Sequence, residues 1–204
     1  MITIIDYGLG NIQSFANVYK RLNMPCSIAT NPKELEPAQK LILPGVGAFD
    51  HAMTLLQDSG MRETLDELVL DKKIPIIGIC VGMQILANSS EEGALNGLKW
   101  IDGEVKKFDV PHLPFKTGLP HMGWNNVNPT ENEPIFEGLD SSSRFYFLHS
   151  YYFSCNNASN VIATADYGVE FCCTVKRDNI YGVQFHPEKS HSNGITVLKN
   201  FGNL

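Results

Sequence analysis

Two elements far apart in the chain carry the residue types needed for acyl transfer. The first reads Ile74-Pro75-Ile76-Ile77-Gly78-Ile79-Cys80-Val81-Gly82-Met83-Gln84. The second reads Gly182-Val183-Gln184-Phe185-His186-Pro187-Glu188. Together they offer a thiol nucleophile in Cys80, a base in His186 and a carboxylate in Glu188 to orient the base. That set can attack an amide carbonyl and expel its nitrogen. A cysteine by itself is usually a small packing residue, and His-Pro-Glu by itself fits a surface turn as readily as a site. It is the combination that points to catalysis. In an extended segment residues two apart project to one side, so His186 and Glu188 are expected to meet.

The surroundings of Cys80 fit this reading. An apolar strand runs into a glycine frame, and a helix follows. A sharp strand-to-helix turn of this kind exposes the nucleophile beside a helix N-terminus, where a thiolate is favoured. Pro44-Gly45-Val46-Gly47 closes another strand. Its backbone N–H groups, at Val46 and Gly47, could join that of Val81 in facing an oxyanion. A plain tight turn explains the same residues equally well.

The elements that must hold these groups alternate. Strands are expected at Ile2 to Ile5, Cys26 to Ala29, Leu41 to Leu43 and Ile74 to Ile79, with helical spacing at Ile12, Phe15, Val18, Tyr19 and Leu22. Further helical patterns run through Ala52, Leu55 and Leu56 and through Leu65, Leu68 and Val69, and a helix begins over Met83 to Ala87. This order predicts an α/β fold: three layers, a mostly parallel central sheet with helices on both faces. The turns after the first, third and fourth strands should then share the carboxyl edge, where sites form. The second half is richer in strands (145–148, 151–153, 161–163, and a hairpin of 171–176 with 180–185), giving a smaller antiparallel region. Residues 109–118 read as a loop, and Ile195 to Phe201 as a final helix. One domain over 1–204 is expected.

Composition narrows the function. With 19% charged and 43% hydrophobic residues, the 204-residue chain can bury a sizeable core. A formal net charge of −6 argues against a broad nucleic-acid or anionic-membrane surface. The five cysteines are odd in number and lack C-x-x-C spacing, and the histidines show no metal spacing, so neither a metal nor a cofactor is expected. Cys26, Cys155, Cys172 and Cys173 fit core packing. There is no basic leader and no long apolar run, so a cytoplasmic location is expected.

Several strings together resemble the class I (triad-type) glutamine amidotransferases over essentially the whole chain. They are Asp6-Tyr7-Gly8-x-Gly10-Asn11, Pro44-Gly45-Val46-Gly47-Ala48-Phe49, Gly78-Ile79-Cys80-Val81-Gly82-Met83-Gln84, Ser89-Ser90-Glu91-Glu92-Gly93, His121-Met122-Gly123-Trp124-Asn125, His149-Ser150-Tyr151-Tyr152 and Gln184-Phe185-His186-Pro187-Glu188-Lys189-Ser190. Val81 stands where many relatives carry leucine. The resemblance implies glutamine as substrate, with Cys80, His186 and Glu188 catalytic and Gly47, Gln84, Glu92, Ser150 and Tyr151 holding the glutamine. It also implies a heterodimer. On this reading the glutaminase fold takes up the whole chain and no acceptor-binding domain is expected, so ammonia would pass to a HisF-like (β/α)8-barrel cyclase subunit that makes imidazole glycerol phosphate and AICAR in histidine biosynthesis. Asn11 and Trp124 resemble interface positions of such pairs, and a core position for Trp124 is the alternative. Three other readings stand beside this one: a paralogue feeding a different acceptor, such as a surface-polysaccharide sugar; a cysteine peptidase or DJ-1-like hydrolase on a related sheet; and a non-enzymatic interaction subunit, against which the intact Cys80, His186 and Glu188 argue.

Overall fold

The computed structural model describes residues 1–109, 118–130 and 132–204. The loop expected over 109–118 lies outside them except at its two ends. Strands β1 (Ile2–Ile5), β2 (Cys26–Ala29), β3 (Lys40–Gly45), β4 (Ile76–Cys80) and β13 (Ile180–Val183) form one parallel block in the order β2-β1-β3-β4-β13. Every residue of β1, β4 and β13 is buried, so both faces of that block are covered. This is why the sequence reads there as continuous apolar runs rather than as alternation.

The sheet continues from β13 into antiparallel pairings. β12 (Glu170–Arg177) is next, then β10 (Tyr151–Cys155) and β6 (Gly103–Lys107), while β5 (Ser89–Ser90) closes this end by pairing parallel to β6. β11 (Val161–Asp166) pairs with β12 and with β8 (Asn128–Pro129). A separate antiparallel ribbon joins β7 (His121–Asn126) to β9 (Arg144–His149).

Helix α1 (Ile12–Arg21) buries Ile12, Phe15, Val18 and Tyr19 of the expected stripe, with Leu22 partly buried at its C-cap, and places Lys20 and Arg21 in its last turn, where the helix dipole favours cations. The Tyr19 hydroxyl donates to the Leu198 carbonyl at 3.0 Å, tying α1 to the last helix, α6 (His191–Asn203). Burying side chains such as Phe15 and Tyr19 contributes roughly 1.5–3 kcal/mol each. The remaining helices are α2 (Pro32–Leu35), α3 (Phe49–Asp58), α4 (Arg62–Asp66), which runs on into a π-helical turn over Glu67–Asp71, and α5 (Val81–Gln84).

Three expectations change in detail. The fourth strand starts at Ile76 rather than Ile74, since Pro75 has no N–H for a ladder. The helix expected over Met83 to Ala87 is instead one turn, Val81–Gln84. The carbonyls of Ile85, Leu86 and Ala87 are captured by the N–H groups of Leu98, Trp100 and Lys99 at 2.7–3.1 Å, so the helix stops. The last helix begins at His191, ahead of Ile195.

Candidate active site

Parallel pairing puts the ends of β1, β3 and β4 on one edge, and their turns touch. The Tyr7 hydroxyl donates to the Pro44 carbonyl at 2.7 Å. Burial and the neighbouring Cys80 both raise the Tyr7 hydroxyl above its ordinary range, so it remains a donor. A Cβ on Gly82 would lie 2.0 Å from the Leu43 carbonyl oxygen, and one on Gly45 would lie 2.3 Å from the Gly82 nitrogen. The turns after β3 and β4 therefore close on each other only because both positions are glycine. At the crest of the second turn Cys80 has φ 54° and ψ −113°, a strained backbone for a residue with a side chain.

His186 reaches Cys80 by a change of partner strand. The Gln184 N–H still bonds to the Cys173 carbonyl in β12, at 2.8 Å, whereas the His186 N–H bonds to the Tyr146 carbonyl in β9, at 2.9 Å. The chain then turns through a 3-10 turn, Pro187–Lys189. The His186–Glu188 contact is made by that turn and not by the alternation of an extended segment. His186 Nδ1 lies 3.0 Å from Glu188 Oε1, with both side chains buried. Nδ1 is therefore the protonated nitrogen that donates to the carboxylate, leaving Nε2 for the sulfur. Burial opposes the imidazolium, but the Cys80 and Glu188 contacts outweigh it and push His186 up to about 10. Glu188 Oε2 is buried without a partner.

A cavity of about 300 Å³ opens over Cys80. That is room for an amino-acid-sized ligand. Val46, Gly47, Val81, Gln84, Glu92, Ser150, Tyr151 and His186 all line it, bringing together the expected substrate-binding and oxyanion positions. Glu188 stands behind His186, outside the lining. A larger cavity of about 680 Å³, beside β8 and Pro134–Phe136, has neither cysteine nor histidine in its wall and so lacks the means for this chemistry.

Several of these residues are also held structurally. Glu92 Oε2 accepts from the Phe49 N–H at 2.8 Å, capping α3, which has no side-chain cap of its own. Gln84 Nε2 donates to the Tyr151 carbonyl at 3.2 Å and to Gln184 Oε1 at 3.0 Å, so both its protons are engaged. Gly47 has φ +86° with open space around it, so conformation alone demands glycine there.

Residue types gave no warning of two further features. His149, Pro120, Leu148 and Lys189 also line the cavity. His149 Nε2 lies 3.0 Å from His121 Nδ1, while His149 Nδ1 donates to the Tyr151 carbonyl at 2.7 Å. Burial drives His121 down to about 4 and His149 to about 3, keeping both neutral. Only the pairing of β7 with β9, His121 opposite His149, brings them together. Among the described residues no group of three or more His, Cys, Asp or Glu could hold a metal ion.

Asn11 is exposed just ahead of α1. Trp124 is 38% exposed and stacks on His191 at 5.0 Å, so it is not a core residue. On the outer face of the ribbon Met122 lies opposite Leu148 and Trp124 opposite Tyr146, an apolar ladder that reaches the rim of the cavity at Leu148. No helix among the described residues is long and apolar enough to cross a membrane.

A thiol on a strained strand-to-helix turn, a carboxylate-held imidazole and an amino-acid-sized cavity define a cysteine amidase site. The family model for class-I glutamine amidotransferases matches residues 3–203, and the chain belongs to that family. It is 57% identical to the imidazole glycerol phosphate synthase subunit HisH of Bdellovibrio bacteriovorus, over 100% of both chains. It is 52% identical to the HisH subunit of Leptospira borgpetersenii, again over 100% of both. A Pseudomonas aeruginosa protein named subunit HisH 2 is 45% identical over 100% of both chains. Among solved structures, a glutamine amidotransferase superposes with a TM-score of 0.75 at 17% identity, covering 100% of this chain and 99% of that one. PurLQS from Thermotoga maritima gives 0.73 at 16%, covering 99% and 97%; both likenesses concern the fold alone.

Proposed function

We infer that this chain is the glutaminase subunit of an imidazole glycerol phosphate synthase. It hydrolyses glutamine to glutamate and ammonia and passes the ammonia to a HisF-type cyclase partner. The observation that carries the chemistry is the single cavity into which Cys80, His186, Gly47, Gln84, Glu92, Ser150 and Tyr151 converge from separate segments.

The proposed steps use the groups that meet in this cavity. Cys80 Sγ attacks the substrate carboxamide carbon, forming the C–S bond, and negative charge moves onto the oxygen. With its pKa pushed up to about 10, His186 begins as imidazolium and is ready to act as acid. It gives its Nε2 proton to the departing nitrogen as the C–N bond breaks, so ammonia leaves and a glutamyl thioester remains. Water then gives a proton to His186 and adds to the thioester, the C–S bond breaks, and glutamate and the thiolate are released. The Val81 and Gly47 N–H groups are the proposed oxyanion donors.

Identity with HisH subunits over the full length supports the histidine-pathway acceptor. The apolar ladder Met122, Leu148, Trp124 and Tyr146 at the cavity rim supports docking of the partner there, with Trp124 and Asn11 in the interface. The test is co-purification with the cyclase, then glutamine-dependent formation of imidazole glycerol phosphate. Turnover with free ammonia but not with glutamine would exclude the glutaminase role. Turnover only with another acceptor would favour a paralogous pathway.

A further inference from the structure

Two side-chain amides are buried beside the triad and bond to each other. Gln184 is 0% exposed and Gln84 is 3% exposed. A buried amide is costly unless its hydrogen bonds are made, and the partners these two choose form an ordered chain. Gln84 Nε2 donates to the Tyr151 carbonyl and to Gln184 Oε1, both of which can only accept. That fixes the Gln184 amide: its oxygen is taken by Gln84, and its Nε2 turns toward Cys80 Sγ at 3.7 Å. Rotating the Gln184 amide by half a turn would set its N–H₂ against that of Gln84. Its orientation is therefore dictated by the Tyr151 backbone through Gln84. The contact is long for nitrogen and oxygen, but sulfur is a larger atom and accepts at greater range.

We propose that Gln184 is a positioning residue for the nucleophile, a second donor beside His186 that holds the Cys80 sulfur as an anion in place for attack. This rests on the glutaminase reading of the site. A fixed N–H aimed at a thiolate inside a buried site needs no reorganisation when the sulfur ionises or leaves the thioester. Gln84 and the Tyr151 carbonyl act one step further out, by preventing the amide from turning its oxygen to the sulfur. Tyr151 also lines the cavity, so the strand that frames the substrate sets the orientation of the donor on the nucleophile.

The test uses Gln184→Met, similar in length but without an N–H, and Gln184→Glu, which adds negative charge beside the sulfur. The expected result for Gln184→Met in the complex is a glutaminase kcat lowered about tenfold with KM within about twofold, one charge-assisted hydrogen bond being worth at least that factor. In the isolated chain, iodoacetamide should alkylate Cys80 more slowly at neutral pH, and the rate-against-pH curve should move upward by about one unit. Gln184→Glu should slow alkylation further. A packing role would lower thermal stability while leaving the alkylation curve and kcat at wild-type values; that outcome, in either variant that folds, overturns the proposal. Absence of glutaminase activity in the wild-type complex would overturn the underlying reading instead.

Discussion

Glu188 Oε1 stands 3.0 Å from His186 Nδ1, with side chains only 2% and 4% exposed. A carboxylate so placed fixes the tautomer of the ring and favours its charged form. Glu188→Gln keeps an acceptor for the Nδ1 proton but removes the charge. Glutaminase kcat in the complex should fall about 10²-fold, with KM changed much less. Steady-state kinetics of the variant checks this; a loss confined to KM would contradict it.

The histidines should titrate in opposite senses. His186, raised to about 10, binds its proton more tightly folded than unfolded. Its contribution to stability is full below about pH 6.5, the ordinary histidine value, and is lost as the pH climbs from there toward about 10. The urea-unfolding difference between wild type and His186→Gln should shrink over that range.

His121 and His149 are held down, to about 4 and about 3. The unfolded chain therefore takes up protons at these positions before the folded chain does. Stability should fall as pH drops from about 6.5 toward 4, and the imidazole NMR signals of this pair should stay in their neutral positions at pH 5.5. Ordinary titration of both near pH 6.5 would refute the neutral pair.

Two glycines at the site should respond differently to alanine. In Gly82→Ala the new Cβ would press on the Leu43 carbonyl, a backbone atom that cannot swing aside. A loss of about 3 kcal/mol or more is expected by urea titration. Gly47→Ala meets no neighbour, only the strain of φ +86°, and should cost about 1–2 kcal/mol.

Trp124→Ala should leave the fold nearly as stable, since the ring is half-exposed on the ribbon. Affinity for the cyclase partner should drop about 30-fold or more, the effect of removing a central aromatic anchor. Calorimetric titration of the partner measures this, and unchanged affinity would move the docking face elsewhere.

Residue order alone determined which chemistry is possible here. The nucleophile frame at Cys80, the His-Pro-Glu and the alternation of apolar strands with 3.6-period helices are local patterns, and the first four strands of the parallel block follow from them, whereas β13, expected only as half of a hairpin, also pairs parallel to β4. Tertiary structure decided which donors and acceptors actually meet. The short α5 ends because Leu98, Lys99 and Trp100 take the carbonyls of Ile85, Ala87 and Leu86, the residues that would continue it. Glu92 caps α3 while lining the cavity. Gln184 faces the sulfur because Gln84, 100 positions away, takes its oxygen. Such choices depend on register between distant strands, and a hydrogen-bonding group close to either end of that separation has many possible partners until the sheet assembles and leaves one.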